Sequence, residues 1–172
     1  MKRILSFLKK MAKLSVSAYS MGVRFLEFLV PVFDLFVRLY MARIFWKGGI
    51  VKISSWMSTV MLFTLVYDVP YLPPEMAAYF STAVELGGSF LLAIGLAGRF
   101  GAVSLFMLNI VAALSYGQLS EAALKEAFYW GILLLYLFLH GPGPISLDAL
   151  LGYLLRRRKM NKAAGLPSPL AG

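Results

Sequence analysis

The chain lacks cysteine and contains one histidine, His140, among its 172 residues. The missing thiols exclude disulfides, thiolate catalysis, thiolate metal sites and iron–sulfur clusters. A single histidine also excludes a two-histidine haem or a multi-histidine metal site within one chain. We therefore expect neither haem nor an iron–sulfur cluster, and no autonomous redox enzyme.

Charge is also scarce in this sequence. Charged residues make up 15% of the chain, whereas soluble domains carry about 25%. Hydrophobic residues reach 60%, and the mean hydropathy is +0.76. This composition predicts an all-α integral membrane protein and argues against both a soluble globular domain and a disordered chain.

The positive charge is concentrated at the two ends of the sequence. The net charge is +9, and residues 1–13 and 156–162 carry five cations each. No aromatic–basic module accompanies them, so we expect membrane lipids rather than nucleic acid as partners. The positive-inside rule places both ends in the cytoplasm, which requires an even number of spans.

Hydropathy and helix signals together predict a four-transmembrane-helix up-down bundle with amphipathic interfacial helices at both ends. The first span is unusually polar. Ser120 and Ser146 are expected to cap the helices that follow them, with Asp148 in the first turn of the last helix. The predicted spans are residues 28–51, 75–97, 100–116 and 121–140. The predicted segments are a basic amphipathic helix (1–24), a transmembrane domain (25–143) with a hydrophobic outer loop (52–74), an interfacial helix (144–160) and a disordered tail (161–172).

Several ionisable residues fall inside the predicted spans, where charge is costly. Asp34 and Arg38 are four residues apart and can bridge on one helix face. Glu85 and Arg38 are expected to lie at the same depth in the membrane, which predicts an Arg38–Glu85 pair. Asp34 or Asn109 would complete the cluster. Such a cluster is either a structural polar clasp, a site for a polar headgroup or quinone, or a proton path. The ligand-binding candidates are Asp34, Arg38, Phe45, Glu85 and Asn109.

A second group of candidates lies near the outer end of the first span. Arg43 and Lys47 share a face beside Trp46. This pattern is typical of interfacial snorkelling and an aromatic belt, and it also suits the anchoring of an outer partner or an anionic ligand.

Two weaker metal hypotheses remain. Thioethers select Cu(I), so Met57, Met61 and Met76 are candidate ligands, although methionine is also ordinary apolar filler. His140 precedes a Gly-Pro turn, where it acts either as a hydrogen-bonding cap or as a ligand of a metal or quinone.

Three motifs resemble one known family. The first span reads Arg38-x6-Phe45-x3-Gly49-x2-Lys52. The second contains Glu85-Leu86 and closes with Gly95-Leu96-Ala97-Gly98-Arg99. The third motif is Gly141-Pro142-Gly143-Pro144-Ile145-Ser146-Leu147-Asp148. In this order they resemble the DoxX family, and residues 68–78 resemble a subgroup that accompanies metal-stress proteins.

The resemblance implies a four-span protein of the bacterial inner membrane, linked to quinone-dependent redox or to oxidative- and metal-stress systems. We expect an accessory, quinone-binding subunit that works with a partner redox or metal-stress protein. The alternatives are a small transporter or exporter of a metal or lipid-like solute, and a structural anchor for a partner. Faces of small residues on the spans suggest a homodimer.

Overall fold

The computed structural model describes the backbone of residues 2–67, 69, 71–117 and 119–163. The chain divides into two compact units, residues 1–33 and 34–172, which are treated separately below. The described residues form six α-helices: α1 (Lys2–Ser54), α2 (Trp56–Leu65), α3 (Pro74–Ile94), α4 (Gly98–Ser115), α5 (Glu121–His140) and α6 (Leu147–Ala163).

The first unit consists of the N-terminal part of α1. Pro31 lies inside this helix, and the side chains described in this unit are exposed or half-buried. The amphipathic face predicted near the N-terminus depends mainly on side chains 2–12 and 14, which lie outside the described residues. Helix α1 runs without interruption through the boundary that was expected near residue 24.

The core of the second unit is built where α1, α3, α4 and α5 meet. Each of these helices contributes a side chain that is at most 1% exposed: Met41, Leu92, Leu105 and Leu134. Helix α4 packs extensively against both α3 and α5. Helices that follow each other in the sequence therefore pack against each other, as their short connections require.

Small residues allow α3 and α4 to approach closely. A Cβ on Gly101 would lie 2.9 Å from the Gly88 carbonyl oxygen, and one on Gly88 would lie 3.0 Å from Leu105 Cγ. Close backbone approach at glycine is the usual way in which membrane helices gain van der Waals contact.

The segment between α5 and α6 is fixed against the turn between α3 and α4. Asp148 is in the first turn of α6, as predicted. Its carboxylate nevertheless accepts hydrogen bonds from the Ala97 and Gly98 amides, at 3.0 and 3.1 Å, and so caps α4. Ser120 and Ser146 accept hydrogen bonds from the amides three residues later, and both predicted caps are confirmed.

Among the described residues, three helices are long and apolar enough to cross a membrane, namely α3, α4 and α5. The all-helical prediction is confirmed. Helix α1 is not among these three, and the expected four-span bundle, which depends on α1, stays a prediction. Helix α2 falls within the predicted outer loop. Helix α6 extends to Ala163, three residues into the predicted tail, while residues 164–172 lie outside the described part.

Candidate functional site

An ion pair joins α1 to α3 in the second unit. The Lys52 ammonium lies 2.7 Å from Glu85 Oε1 and donates a hydrogen bond to the Ser81 hydroxyl at 3.1 Å. It also lies 5.7 Å from the centre of the Phe63 ring, within range of a cation–π attraction. Glu85 Oε2 has no hydrogen-bond partner among the described residues. A Cβ on Gly48 would lie 3.4 Å from this oxygen, so the carboxylate packs closely against α1.

This ion pair borders a cavity of about 470 Å³. Small-molecule sites typically enclose about 300–1,000 Å³ and combine apolar walls with a few placed polar groups. The cavity has this composition. Its polar lining is Lys52, Tyr67, Ser81, Glu85 and Ser104, and its apolar lining includes Phe63, Phe80, Val84, Met107 and Leu108.

Aromatic contacts fix Tyr67 at the edge of the cavity. Its ring stacks on Phe63 with centroids 4.9 Å apart and meets Tyr116 edge-on at 5.3 Å. Tyr67 and Tyr116 also form an antiparallel backbone bridge, which ties the end of α2 to the end of α4. Burial, reinforced by Tyr116 and Glu85, raises the pKa of the Tyr67 hydroxyl above its usual value. Tyr67 therefore stays protonated at neutral pH and can donate a hydrogen bond.

A second polar cluster surrounds Arg38, which is 3% exposed. The guanidinium Nη1 donates to the Pro142 carbonyl at 2.5 Å, and Nη2 donates to the Ile145 carbonyl at 2.7 Å. Gly95 makes room for this fork, because a Cβ there would lie 2.6 Å from Nη1. Its φ of 68° also favours glycine. Arg38 therefore fastens the α5–α6 connection to α1 and to the end of α3.

Asp34 lies in the same cluster and is 2% exposed. The Tyr136 hydroxyl donates to Asp34 Oδ1 at 2.6 Å. His140 Nε2 lies 3.2 Å from Oδ2, but Oδ2 has no hydrogen bond of good geometry among the described residues. Nε2 and Oδ2 are therefore in close contact without a hydrogen bond. The rings of Tyr136 and His140 stack with centroids 5.2 Å apart.

The expected Arg38–Glu85 pair does not form, and among the described residues Arg38 makes no ion pair with Asp34 either. The reason is helix register. Arg38 touches α3 at Gly95, ten residues beyond Glu85, and an α-helix rises 1.5 Å per residue. The two clusters are thus about 15 Å apart along α3. Glu85 instead lies level with the end of α1, where Lys52 reaches it.

A protein-family model described as DoxX matches residues 33–118, which is half of the 172-residue chain. The chain belongs to the DoxX family. With three helices of membrane-spanning length and composition, it is a multi-pass membrane protein. No curated protein and no solved structure matches the chain.

The two remaining ligand-binding candidates of this DoxX-family chain lie in neither cluster. Asn109 on α4 donates to the Ala127 carbonyl of α5 at 2.8 Å and borders a largely apolar groove of about 720 Å³ between these helices. Phe45 is buried in the core and meets Trp130 edge-on, with centroids 6.1 Å apart. Both residues therefore contribute to helix packing.

The outer-face and metal candidates are all exposed. Arg43, Trp46 and Lys47 project from the α1 surface, and Lys47 borders a separate groove between α1 and α2. More than half of the surface of each candidate methionine is accessible, in Met57, Met61 and Met76 alike. Among the described residues, no group of three or more His, Cys, Asp or Glu side chains could hold a metal ion.

Sequence reasoning did not select Lys52, Tyr67 or Tyr136 as site residues. Lys52 stands in the first motif, three residues after Gly49, but the motif alone does not indicate its partner. The spacing of Tyr136 and His140, one helical turn apart, is a signal that could have identified the stacked pair. Tyr67 follows a short helix and carries no such signal, because its place depends on contacts with Tyr116.

Proposed function

We propose that this DoxX-family protein binds an amphipathic small molecule in the Lys52/Glu85 cavity and acts as an accessory subunit of a membrane redox system. The observation that carries the proposal is the placement of a half-buried ion pair beside a mainly apolar cavity. Charges inside a membrane protein usually pair or face a cavity, and often mark a functional site. Lys52 and Glu85 pair with each other and also face the cavity.

A quinone is the ligand class that suits this lining best. Quinone carbonyls are hydrogen-bond acceptors, and Lys52 and Tyr67 supply donors at the cavity. Phe63 and Phe80 offer aromatic surface to a flat ring. A bound quinone would supply two-electron redox chemistry, while the residues of this chain bind and orient its head. Electrons would come from a partner redox protein, because the sequence contains no cysteine and a single histidine.

We further propose that residues 34–54 of α1 form the fourth span. Three of the five charged residues in this segment have partners inside the protein: Tyr136 donates to Asp34, Arg38 donates to carbonyl groups and Lys52 pairs with Glu85. The other two, Arg43 and Lys47, are exposed and can extend their charged ends toward the membrane interface. Satisfied charges make a polar span tolerable in the bilayer. Four spans agree with basic ends on the cytoplasmic side of a bacterial inner membrane. Association as a homodimer belongs to the same proposal.

The proposal is tested by purifying the protein in mild detergent, extracting it with organic solvent and identifying what it carries by mass spectrometry. We expect near-stoichiometric quinone in the native chain and a loss of at least tenfold in Lys52→Met. The double variant Lys52→Met, Glu85→Leu leaves no unpaired charge and separates ligand loss from misfolding. Lys125→Met is the matched control, because Lys125 forms an exposed ion pair with Glu121.

Three outcomes would overturn the proposal. If the native chain carries phospholipid alone, the Lys52/Glu85 pair is a structural clasp and the protein is an anchor for a partner. If it carries a metal ion that depends on Met57 and Met61, the transporter alternative replaces the redox subunit. Equal quinone content in Lys52→Met and the native chain would place the quinone outside this cavity.

A further inference from the structure

We propose a second binding site, the groove between α1 and α2, which holds the phosphodiester headgroup of an anionic phospholipid. The groove is shallow and open, with a volume of about 590 Å³. It shares Lys52 with the cavity described above, but its other lining residues are different. The inference therefore does not depend on what the cavity binds.

Positive charge at the groove is not neutralised by the protein itself. Lys47 lines the groove, and among the described residues it belongs to no ion pair. Lys52 is already paired with Glu85. Arg43, one helical turn before Lys47, is also exposed and forms no ion pair among the described residues. Near the groove, two cations on one face of α1 thus remain without a carboxylate, which favours an anionic ligand.

Hydroxyl groups supply the donors that a phosphodiester needs. The Ser55 and Ser58 hydroxyls share one hydrogen bond at 2.8 Å. Two hydroxyls carry two protons, so the pair retains one to donate to a ligand. The Thr59 hydroxyl is different, because it already donates to the backbone carbonyls of Lys52 and Ser55.

Apolar lining indicates a lipid rather than a free phosphate. Ile44, Val51 and Leu62 border the same groove as Lys47 and the two serines. An acyl chain can lie against these side chains while its headgroup reaches the lysine and the hydroxyls. A soluble phosphodiester would leave this apolar surface uncovered and gain nothing from it.

The experiment uses phosphatidylglycerol and phosphatidylcholine that carry the same photoactivatable group on the same acyl chain. The full-length protein is labelled in vesicles that contain either probe, and the labelled peptides are mapped. We expect residues 44–62 to be labelled more strongly by the anionic probe. One surface lysine contributes about 1 kcal/mol to the attraction of anionic lipid, so Lys47→Gln should reduce this labelling about fivefold.

The controls separate charge from folding and from the basic ends of the chain. Lys47→Arg keeps the cation and should keep the labelling, whereas Lys125→Gln should leave it unchanged. Equal labelling by both lipids, or unchanged labelling in Lys47→Gln, would overturn the inference. It would equally be overturned if soluble glycerophosphoglycerol displaced the lipid at comparable concentration, because the site would then recognise a free phosphodiester.

Discussion

Replacing Arg38 gives the sharpest test of how this fold is held together. The guanidinium donates two hydrogen bonds to carbonyl groups, at 2.5 and 2.7 Å. Hydrogen bonds from a charged donor contribute about 1.5–3 kcal/mol each. Arg38→Met removes both bonds but also removes the cost of burying a charge. We therefore expect the free energy of unfolding to fall by roughly 3 kcal/mol, near the lower end of the summed range of about 3–6 kcal/mol.

Arg38→Lys should recover only part of this loss, about half, because an ammonium group lacks the rigid fork that reaches two carbonyls at once. The assay is unfolding by titration with a denaturing detergent, combined with amide exchange across residues 141–148. Both variants should exchange faster in this segment, with methionine the faster of the two. Arg43→Met is the control, since Arg43 is exposed on the same helix.

The reasoning about Arg38 is refuted if Arg38→Met unfolds like the native chain and residues 141–148 remain equally protected. It is also refuted if lysine and methionine have the same effect, because the fork geometry would then contribute nothing.

Two further substitutions probe the packing and the helix cap. In Gly49→Ala, the new Cβ would lie 2.6 Å from Leu86 Cδ2, so we expect a loss of about 1–3 kcal/mol from overpacking. The same unfolding assay should show partial rescue by Leu86→Ala and no loss in Gly22→Ala, where nothing lies within 4 Å. Asp148→Ala removes the cap of α4 and should cost about 1–2 kcal/mol. Asp148→Asn should cost less, because its amide oxygen still accepts one of the two backbone hydrogen bonds, whereas its NH₂ group cannot accept the other. If alanine and asparagine behave alike at position 148, the cap is not what stabilises the turn.

The sequence predicted the helical class and the beginnings of α3, α4 and α5 to within two residues, because these depend on local signals. It did not predict the single long helix α1 or the end of α6. The second span was expected from residue 75 and α3 begins at Pro74, while Ser120 and Ser146 cap the helices that follow them. These features act within a few residues of chain, where side-chain chemistry and backbone geometry are directly coupled.

The partners of the buried charges could not be predicted in the same way. Arg38 binds backbone carbonyls, and a carbonyl acceptor has no residue-type signature in a sequence. Glu85 pairs with Lys52, which lies at the end of α1. The hydropathy of the predicted spans had instead suggested that Arg38 lies at the same membrane depth as Glu85. A shift of ten residues along a helix moves a side chain about 15 Å, far more than the reach of an arginine. Register therefore decides the pairing, and register depends on tertiary packing.

The motifs that carried the family resemblance gain a physical meaning from their contacts. The first motif meets the second at Lys52–Glu85 and again where Gly49 faces Leu86. The third motif, at residues 141–148, lies outside the matched range 33–118. It is nevertheless bound to the first motif by Arg38 and to the second by Asp148.

Arg38 donates its hydrogen bonds to backbone carbonyl groups, and Asp148 accepts hydrogen bonds from backbone amides. They therefore fix the architecture and leave little capacity for a ligand. The Lys52/Glu85 pair is the exception, because it is an ion pair between two side chains and borders a cavity. Among these charged clusters, the one beside Lys52 at the end of α1 therefore has the geometry that suits binding of a small molecule.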